Sequence, residues 1–86
     1  MADKLLTLKV LTPEGTAYEG KVQAVFLPGA ECPFEVLYDH APIISTLIAG
    51  AIRYRVDGKE ETIAIRSGVA RVLDHEIRVC ADIQIR

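Results

Sequence analysis

The chain is 86 residues long, half of them apolar and 26% charged, with a net charge of -2. That composition describes one small folded domain and excludes an intrinsically disordered chain. A chain this short buries only ~60% of the surface its unfolded form exposes, so its core is modest. Acidic and basic residues are interspersed, without the clustered basic face that nucleic acid requires. No apolar run approaches the ~20 residues that span a bilayer. The opening "MADKLLTLKV" is too short and too alternating for a signal peptide. The expected setting is a reducing cytosol, where Cys32 and Cys80 are free thiols rather than a disulfide.

Period-two alternation dominates the chain. In "LLTLKV", Leu6, Leu8 and Val10 fall on one face against Thr7 and Lys9. "TPEG" at 12–15 reads as a turn, with proline presetting its φ and glycine permitting a positive one. "KVQAVFLP" places Val22, Ala24 and Phe26 on one face. The stretch "LPGAECPFEVLYDHAPII" at 27–44 then collects three of the four prolines, one of the two cysteines and one of the two histidines. In "HAPIISTLIAG" at most one short helical turn is expected, because Pro42 and the β-branched Ile43 and Ile44 oppose more.

"AIRYRV" sets Ile52, Tyr54 and Val56 against Arg53 and Arg55. Asp57-Gly58 behind it is the strongest short-range hairpin signal, a type I′ turn. "EETIAIR" returns with Ile63 and Ile65 inward. "GVARVL" turns at Asp74-His75 into "EIRVCADIQI", where Ile77, Val79, Ala81, Ile83 and Ile85 alternate with Arg78, Cys80, Asp82, Gln84 and Arg86. That alternation predicts strand to the end.

No segment carries a helical stripe over three turns. About 8–10 short, mainly antiparallel strands predict an all-β fold: one domain over residues 1–86, built as a flattened β-sandwich or barrel. Such closure hides strand edges. Gly15, Gly20, Gly29, Gly50, Gly58 and Gly68 mostly fall where strands should end, and Pro13, Pro28, Pro33 and Pro42 break ladders in the same places. Arg53, Arg55, Arg66, Arg71 and Arg78 are expected on a solvated outer face.

The chemistry-bearing residues give little. Cys32, His40 and the adjoining Asp39 can be drawn as a nucleophile, base and orienter. Their spacing is not specific, however, and Glu31 and Glu35 beside Cys32 would raise a thiol pKa rather than lower it. A metal would have to be held by Cys32, His40, His75 and Cys80, which lack ligand spacing. The glycines form no phosphate cradle, and no serine sits in a nucleophile elbow. The expectation is a non-catalytic binding domain without metal, nucleotide or cofactor.

Taken in order, "TPEG", "YEGKVQAVFLPGAECPFEVLYDHAPIISTLIAGAIRYR", "GKEETIAIRSGVARV" and "IRVCAD" resemble the amino-terminal β-sandwich domain of the epsilon subunit of F-type ATP synthases. The resemblance covers Leu6 to about Asp82. Its most specific elements are Leu27-Pro28-Gly29, His40-Ala41-Pro42 and Ser67-Gly68. Where the family has a glycine, an aromatic, a glycine and a proline, this chain has Cys32, Phe34, Glu35 and Tyr38.

The resemblance implies a ten-stranded flattened barrel at the foot of the central stalk. It implies a non-catalytic rotor subunit that links the gamma subunit to the membrane ring of c subunits, coupling ion flow to ATP synthesis in other subunits. Carried over by position, Ala30, Glu31, Cys32 and Pro33 would touch the c ring, and His40, Ala41, Pro42 and Ser45 would pack on gamma, where some apolar side chains should be exposed in the isolated domain. The complex would hold the chain on the cytoplasmic face of the bacterial inner membrane, as a peripheral part that is soluble when isolated. The family's carboxy-terminal helical hairpin has no counterpart before Arg86, so neither nucleotide binding nor inhibition by inserted helices is expected. The alternative is a stand-alone β-sandwich module for binding or assembly.

Overall fold

A computed structural model of the chain describes residues 4–83. Eight strands follow one another: β1 (Leu6–Thr12), β2 (Gly15–Val22), β3 (Ala24–Leu27), β4 (Phe34–Val36), β5 (Ile43–Leu47), β6 (Gly50–Val56), β7 (Lys59–Leu73) and β8 (Glu76–Ile83). They form one mixed sheet in the order β2-β1-β8-β7-β6-β3-β4, with β5 added beside β7. The all-β expectation holds, and the pairing is antiparallel except between β1 and β8. Ile85, expected as the last strand residue, lies outside the described residues.

The local signals explain most of the strands. Leu6, Leu8 and Val10 of β1 are buried, and so are Ile77, Val79 and Ala81 of β8. Val56 pairs with Lys59 across Asp57 and Gly58. Both turn residues have positive φ, 53° and 78°, as a type I′ turn demands. Asp74 and His75, at 52° and 65°, repeat that geometry without a glycine, and Leu73 pairs with Glu76 across them.

Strand β7 runs for 15 residues because it serves two parts of the sheet. Its first half, 59–65, pairs with β6. Its second half pairs with β5 through Gly68–Val72 and with β8 on the other edge, with a register shift between Ile65 and Ser67. Such a bulge bends a strand and increases its twist. The sheet therefore folds over on itself, and β2 comes to lie against β6, where the Tyr18 and Tyr54 rings meet at 4.5 Å. An isolated bridge between Gly29 and Leu47 joins the end of β3 to β5. The result is flattened, 41 × 24 × 18 Å.

One core lies between the folded halves. It unites Leu6, Leu8, Val10, Val22, Val25, Leu27, Val36, Leu47, Ile52, Ala70, Val72, Ile77 and Val79. No polar or charged residue is buried among the described residues, so hydrophobic burial, roughly 1.5–3 kcal/mol per large side chain, carries the stability.

Two expectations need correcting. Phe26 does not share the inward face: Val25 and Leu27 are buried and Phe26 is only half-buried. The cause is a break at Gln23. Its N–H donates to the Arg55 carbonyl, and its side-chain carbonyl accepts from the Gly58 N–H at 2.9 Å. These contacts interrupt the ladder, and the alternation restarts one residue out of phase. Gly68 is not at a strand end either. It lies inside β7, where a Cβ would sit 2.8 Å from the Cys80 carbonyl oxygen. The glycine allows close approach of β8.

Candidate functional site

The residues singled out from sequence lie in two loops that flank β4 and converge on β5. The first loop leaves β3 at Pro28. The Ala30 N–H donates to the Thr46 carbonyl at 2.8 Å, and the Ile48 N–H donates to the Pro28 carbonyl at 2.9 Å. The loop is thus zipped to β5 by main chain on both sides of Gly29. Gly29 is buried there, and a Cβ on it would lie 2.5 Å from the Cys32 carbonyl and 2.9 Å from the Phe34 ring. Only glycine lets the chain turn back this tightly. Ala30, Glu31, Cys32 and Pro33 consequently project as an exposed tip on a fixed base.

The second loop, 37–42, is held by rings. Tyr38 stacks on His75 at 3.9 Å, nearly parallel at 9°, and the Lys4 ammonium lies 5.9 Å from the Tyr38 ring. The His75 carbonyl accepts from the Thr7 N–H, so this stack ties the loop to the β7–β8 turn and to β1. Within the loop the His40 N–H donates to the Leu37 carbonyl. Its Nδ1 lies 3.0 Å from the Ala41 carbonyl. A carbonyl can only accept, so a hydrogen bond here requires the tautomer with its proton on Nδ1.

The grouping of these residues differs from the two sets named from sequence. Ala30, Glu31 and Cys32 line a cleft of about 590 Å³ together with Ser45, which was assigned to the other set. Pro33 instead turns to a cleft beside Phe26, Pro28, Phe34 and Arg53. Pro42 lines a third hollow with Ile44, Arg71 and Leu73. His40 packs toward Phe34, ring centroids 6.4 Å apart, and Ala41 is exposed. The surfaces adjoin at β5, where Ile43 and Ile44 line both the cleft at the 30–32 tip and the hollow at Pro42.

Apolar side chains are exposed beside them, as expected near His40 to Ser45, but the strip also extends onto β7, which was not expected. Ile44 is 76% exposed, and Val69 and Leu73 are 48% and 44% exposed on the outer side of β7. A signal was present: the late part of β7 is apolar at both parities, with Ala70 and Val72 buried on the other side. Antiparallel strands with one solvated face alternate instead. Cys32 and Cys80 are free and exposed. Among the described residues, no group of three His, Cys, Asp or Glu side chains is placed to hold a metal ion. No helix there is long and apolar enough to cross a membrane.

These features define an all-β sandwich-like domain with two exposed loops and an apolar strand face open to solvent. Residues 5–86 match the family described as "ATP synthase, Delta/Epsilon chain, beta-sandwich domain", and the chain belongs to that family. It is 42% identical over 78 residues to an ATP synthase epsilon chain of Helicobacter pylori, covering 91% of this chain and 63% of the relative. To the ATP synthase epsilon chain of Desulfitobacterium hafniense it is 41% identical over 76 residues, covering 88% and 58%. The chain thus spans about three fifths of the length of these relatives.

The fold recurs in a chain of the Euglena gracilis mitochondrial ATP synthase, solved by cryo-EM as an OSCP/F1/c-ring assembly. The TM-score is 0.85 at 19% identity, covering 94% of this chain and 52% of that one. It recurs again in the central stalk/c-ring structure of the Tetrahymena thermophila enzyme, with a TM-score of 0.75 at 12% identity and coverage of 95% and 66%.

Proposed function

We propose that the chain is a non-catalytic central-stalk subunit of a proton-translocating ATP synthase, linking the gamma subunit to the c ring and supporting the coupling of ion flow to ATP synthesis. The observation that carries this reading is the family match over residues 5–86. The central stalk and c-ring of the Tetrahymena relative supply the context. In this role the domain is a stiff body between two partners. The folded sheet makes its hydrogen bonds internally, so shear would break them, and torque passes through packed contacts.

The tip Ala30, Glu31, Cys32 and Pro33 is the c-ring contact in this reading. Glu31 meets basic groups on the ring loops in an exposed pair that contributes register more than energy. His40, Ala41, Pro42 and Ser45 contribute to the gamma contact. The complex holds the domain at the cytoplasmic face of the bacterial inner membrane, as a peripheral part.

Two measurements test this. The purified chain mixed with the gamma subunit of the same organism at micromolar concentration is expected to elute as a complex in gel filtration. Separate elution at every concentration tried defeats the reading. In the assembled enzyme, a Glu31→Cys variant with Cys32 removed is expected to cross-link to a cysteine in a c-subunit loop. A gamma complex without any such cross-link would retain the stalk role and reject the ring assignment.

A further inference from the structure

The 37–42 loop is built on a turn that lacks the usual local supports. The His40 N–H donates to the Leu37 carbonyl at 3.0 Å, closing a β-turn with Tyr38 and Asp39 at its centre. Neither central residue has a positive φ, as in the commonest class of β-turn. Proline at the first central position would preset φ, but Tyr38 stands there. Burial does not pin the turn either, because Leu37 is 51% exposed.

The β7–β8 turn carries a matching oddity. His75 holds φ at 65°, a left-handed conformation that is uncommon outside glycine, although histidine is among the residues that tolerate it. Gly58 takes the corresponding place in the β6–β7 turn. A residue kept in a sparsely populated conformation points to a use for its side chain. The two features meet: the Tyr38 and His75 rings stack at 3.9 Å with their planes 9° apart. His75 is a fixed partner, because its carbonyl accepts from the Thr7 N–H at 2.9 Å and its turn is closed by the Leu73–Glu76 pair. The Lys4 ammonium lies over the same Tyr38 ring at 5.9 Å.

We infer that Tyr38 and His75 form a clasp that sets the conformation of the 37–42 loop from outside, in the part that a proline at 38 would play from within. The left-handed turn presents the imidazole, and the stacked pair fixes both the distance and the direction of the loop. In the stalk reading above, the loop carries His40, Ala41 and Pro42 to the gamma subunit, and both rings are then positioning residues. The clasp itself is a property of the isolated domain and does not rest on that reading.

Amide hydrogen exchange of the isolated chain, followed by NMR, tests this, with the His40 amide reporting on the loop and the Thr7 amide on the β7–β8 turn. Tyr38→Ala is expected to speed exchange at His40 about 3- to 10-fold, and Tyr38→Phe to leave it within about twofold. Tyr38→Pro should restore protection although the stack is lost. His75→Gly gives the turn the same Asp-Gly pair as the β6–β7 turn. It should loosen His40 as Tyr38→Ala does, while Thr7 stays protected and melting is not lowered. In the Tyr38→Pro chain, His75→Gly should no longer affect His40.

If Tyr38→Ala and His75→Gly both leave exchange at His40 unchanged, the stack is incidental and the inference fails. It fails too if His75→Gly acts equally in the parent and Tyr38→Pro chains, because the histidine then works through its own turn. Affinity for the gamma subunit of the same organism should drop about 3- to 10-fold in Tyr38→Ala and return in Tyr38→Pro. A loosened loop with unchanged gamma affinity would uphold the clasp and remove His40, Ala41 and Pro42 from the gamma contact.

Discussion

Arg53 and Arg71 occupy comparable places on opposite halves of the folded sheet. Each projects outward from an antiparallel strand, and each has a hydrophobic residue nearby. Their surroundings differ. The Arg53 guanidinium lies over the Phe26 ring, 4.7 Å from its centroid, and reaches Glu60 at 3.4 Å. Arg71 faces Ile44 across the strand pair and forms no ion pair among the described residues, although Asp74 and Glu76 line a cleft with it. One surface is completed by its own residues and the other is not. A cation on a sheet therefore says little by its type; what covers and neutralises it decides whether it belongs to the fold or to a partner.

Both surfaces rest on one core. Ile52 lies beneath the Arg53 surface and Ile77 beneath the Arg71 surface, and both are fully buried. Replacing either by alanine is expected to cost about 2–5 kcal/mol, read from urea unfolding of the domain. A cost for Ile77→Ala under about 1 kcal/mol, with Ile52→Ala in the expected range, would mean the β5–β7–β8 layer is loosely packed and its exposed aliphatics are a sign of that. Next in size is Gly29→Ala. The new methyl group meets the Cys32 carbonyl at 2.5 Å, and backbone cannot easily yield, so roughly 1–3 kcal/mol is expected. The loop tip should move with it, visible as changed amide shifts at Ala30 to Pro33. Unchanged stability would show that the loop base is not fixed.

Much of this architecture was readable from the order of residues. The β6–β7 hairpin followed from alternation and Asp57-Gly58, and β8 followed from alternation alone. What was not readable depended on residues far apart in sequence. Phe26 lost its expected face because Gln23 bonds to Gly58, 35 positions away. Gly68 looked like a strand end because nothing local announces that β8 crowds it. The parallel neighbours β1 and β8 sit at the two ends of the chain, and no pattern within either names the other. The two exposed loops stood out by their composition, with three of the four prolines between 27 and 44. That Ser45 lines one cleft with Ala30, Glu31 and Cys32 was not readable, because it depends on how the 28–33 loop folds back onto β5. The apolar strip on late β7 was discoverable from Val69 and Leu73, since a solvated strand has no use for hydrophobic residues at both parities.

Removing the two arginines sharpens the contrast further. Arg53→Ala loses a ring contact and an exposed ion pair, together about 0.5–1 kcal/mol. Arg71→Ala loses no partner and relieves the opposition to Arg78, so its effect on unfolding should be neutral or a few tenths of a kcal/mol stabilising. Urea midpoints of the two variants against the parent chain decide this. If Arg71→Ala destabilises as much as Arg53→Ala, the arginine has an internal role and the two surfaces are alike after all.

The smallest expected effect is one of pH, and it belongs to the Arg53 half alone. Burial pushes the Tyr54 phenol above its ordinary value of 10.0, and the neighbouring Tyr18 and Glu61 add to the rise. The unfolded chain releases this proton near its ordinary value, while the folded chain still holds it. In that window the native state binds more protons than the unfolded state, so stability falls as pH rises. Below about pH 9 both states are protonated and the contribution of this group is constant. Subtracting the pH profile of Tyr54→Phe cancels the titration of lysines and other groups common to both chains. The difference should be flat to about pH 9 and decline above it. A flat difference up to pH 11 would mean the phenol is solvated, and the Tyr18–Tyr54 contact would not be the closed seam between β2 and β6 that the folded sheet requires.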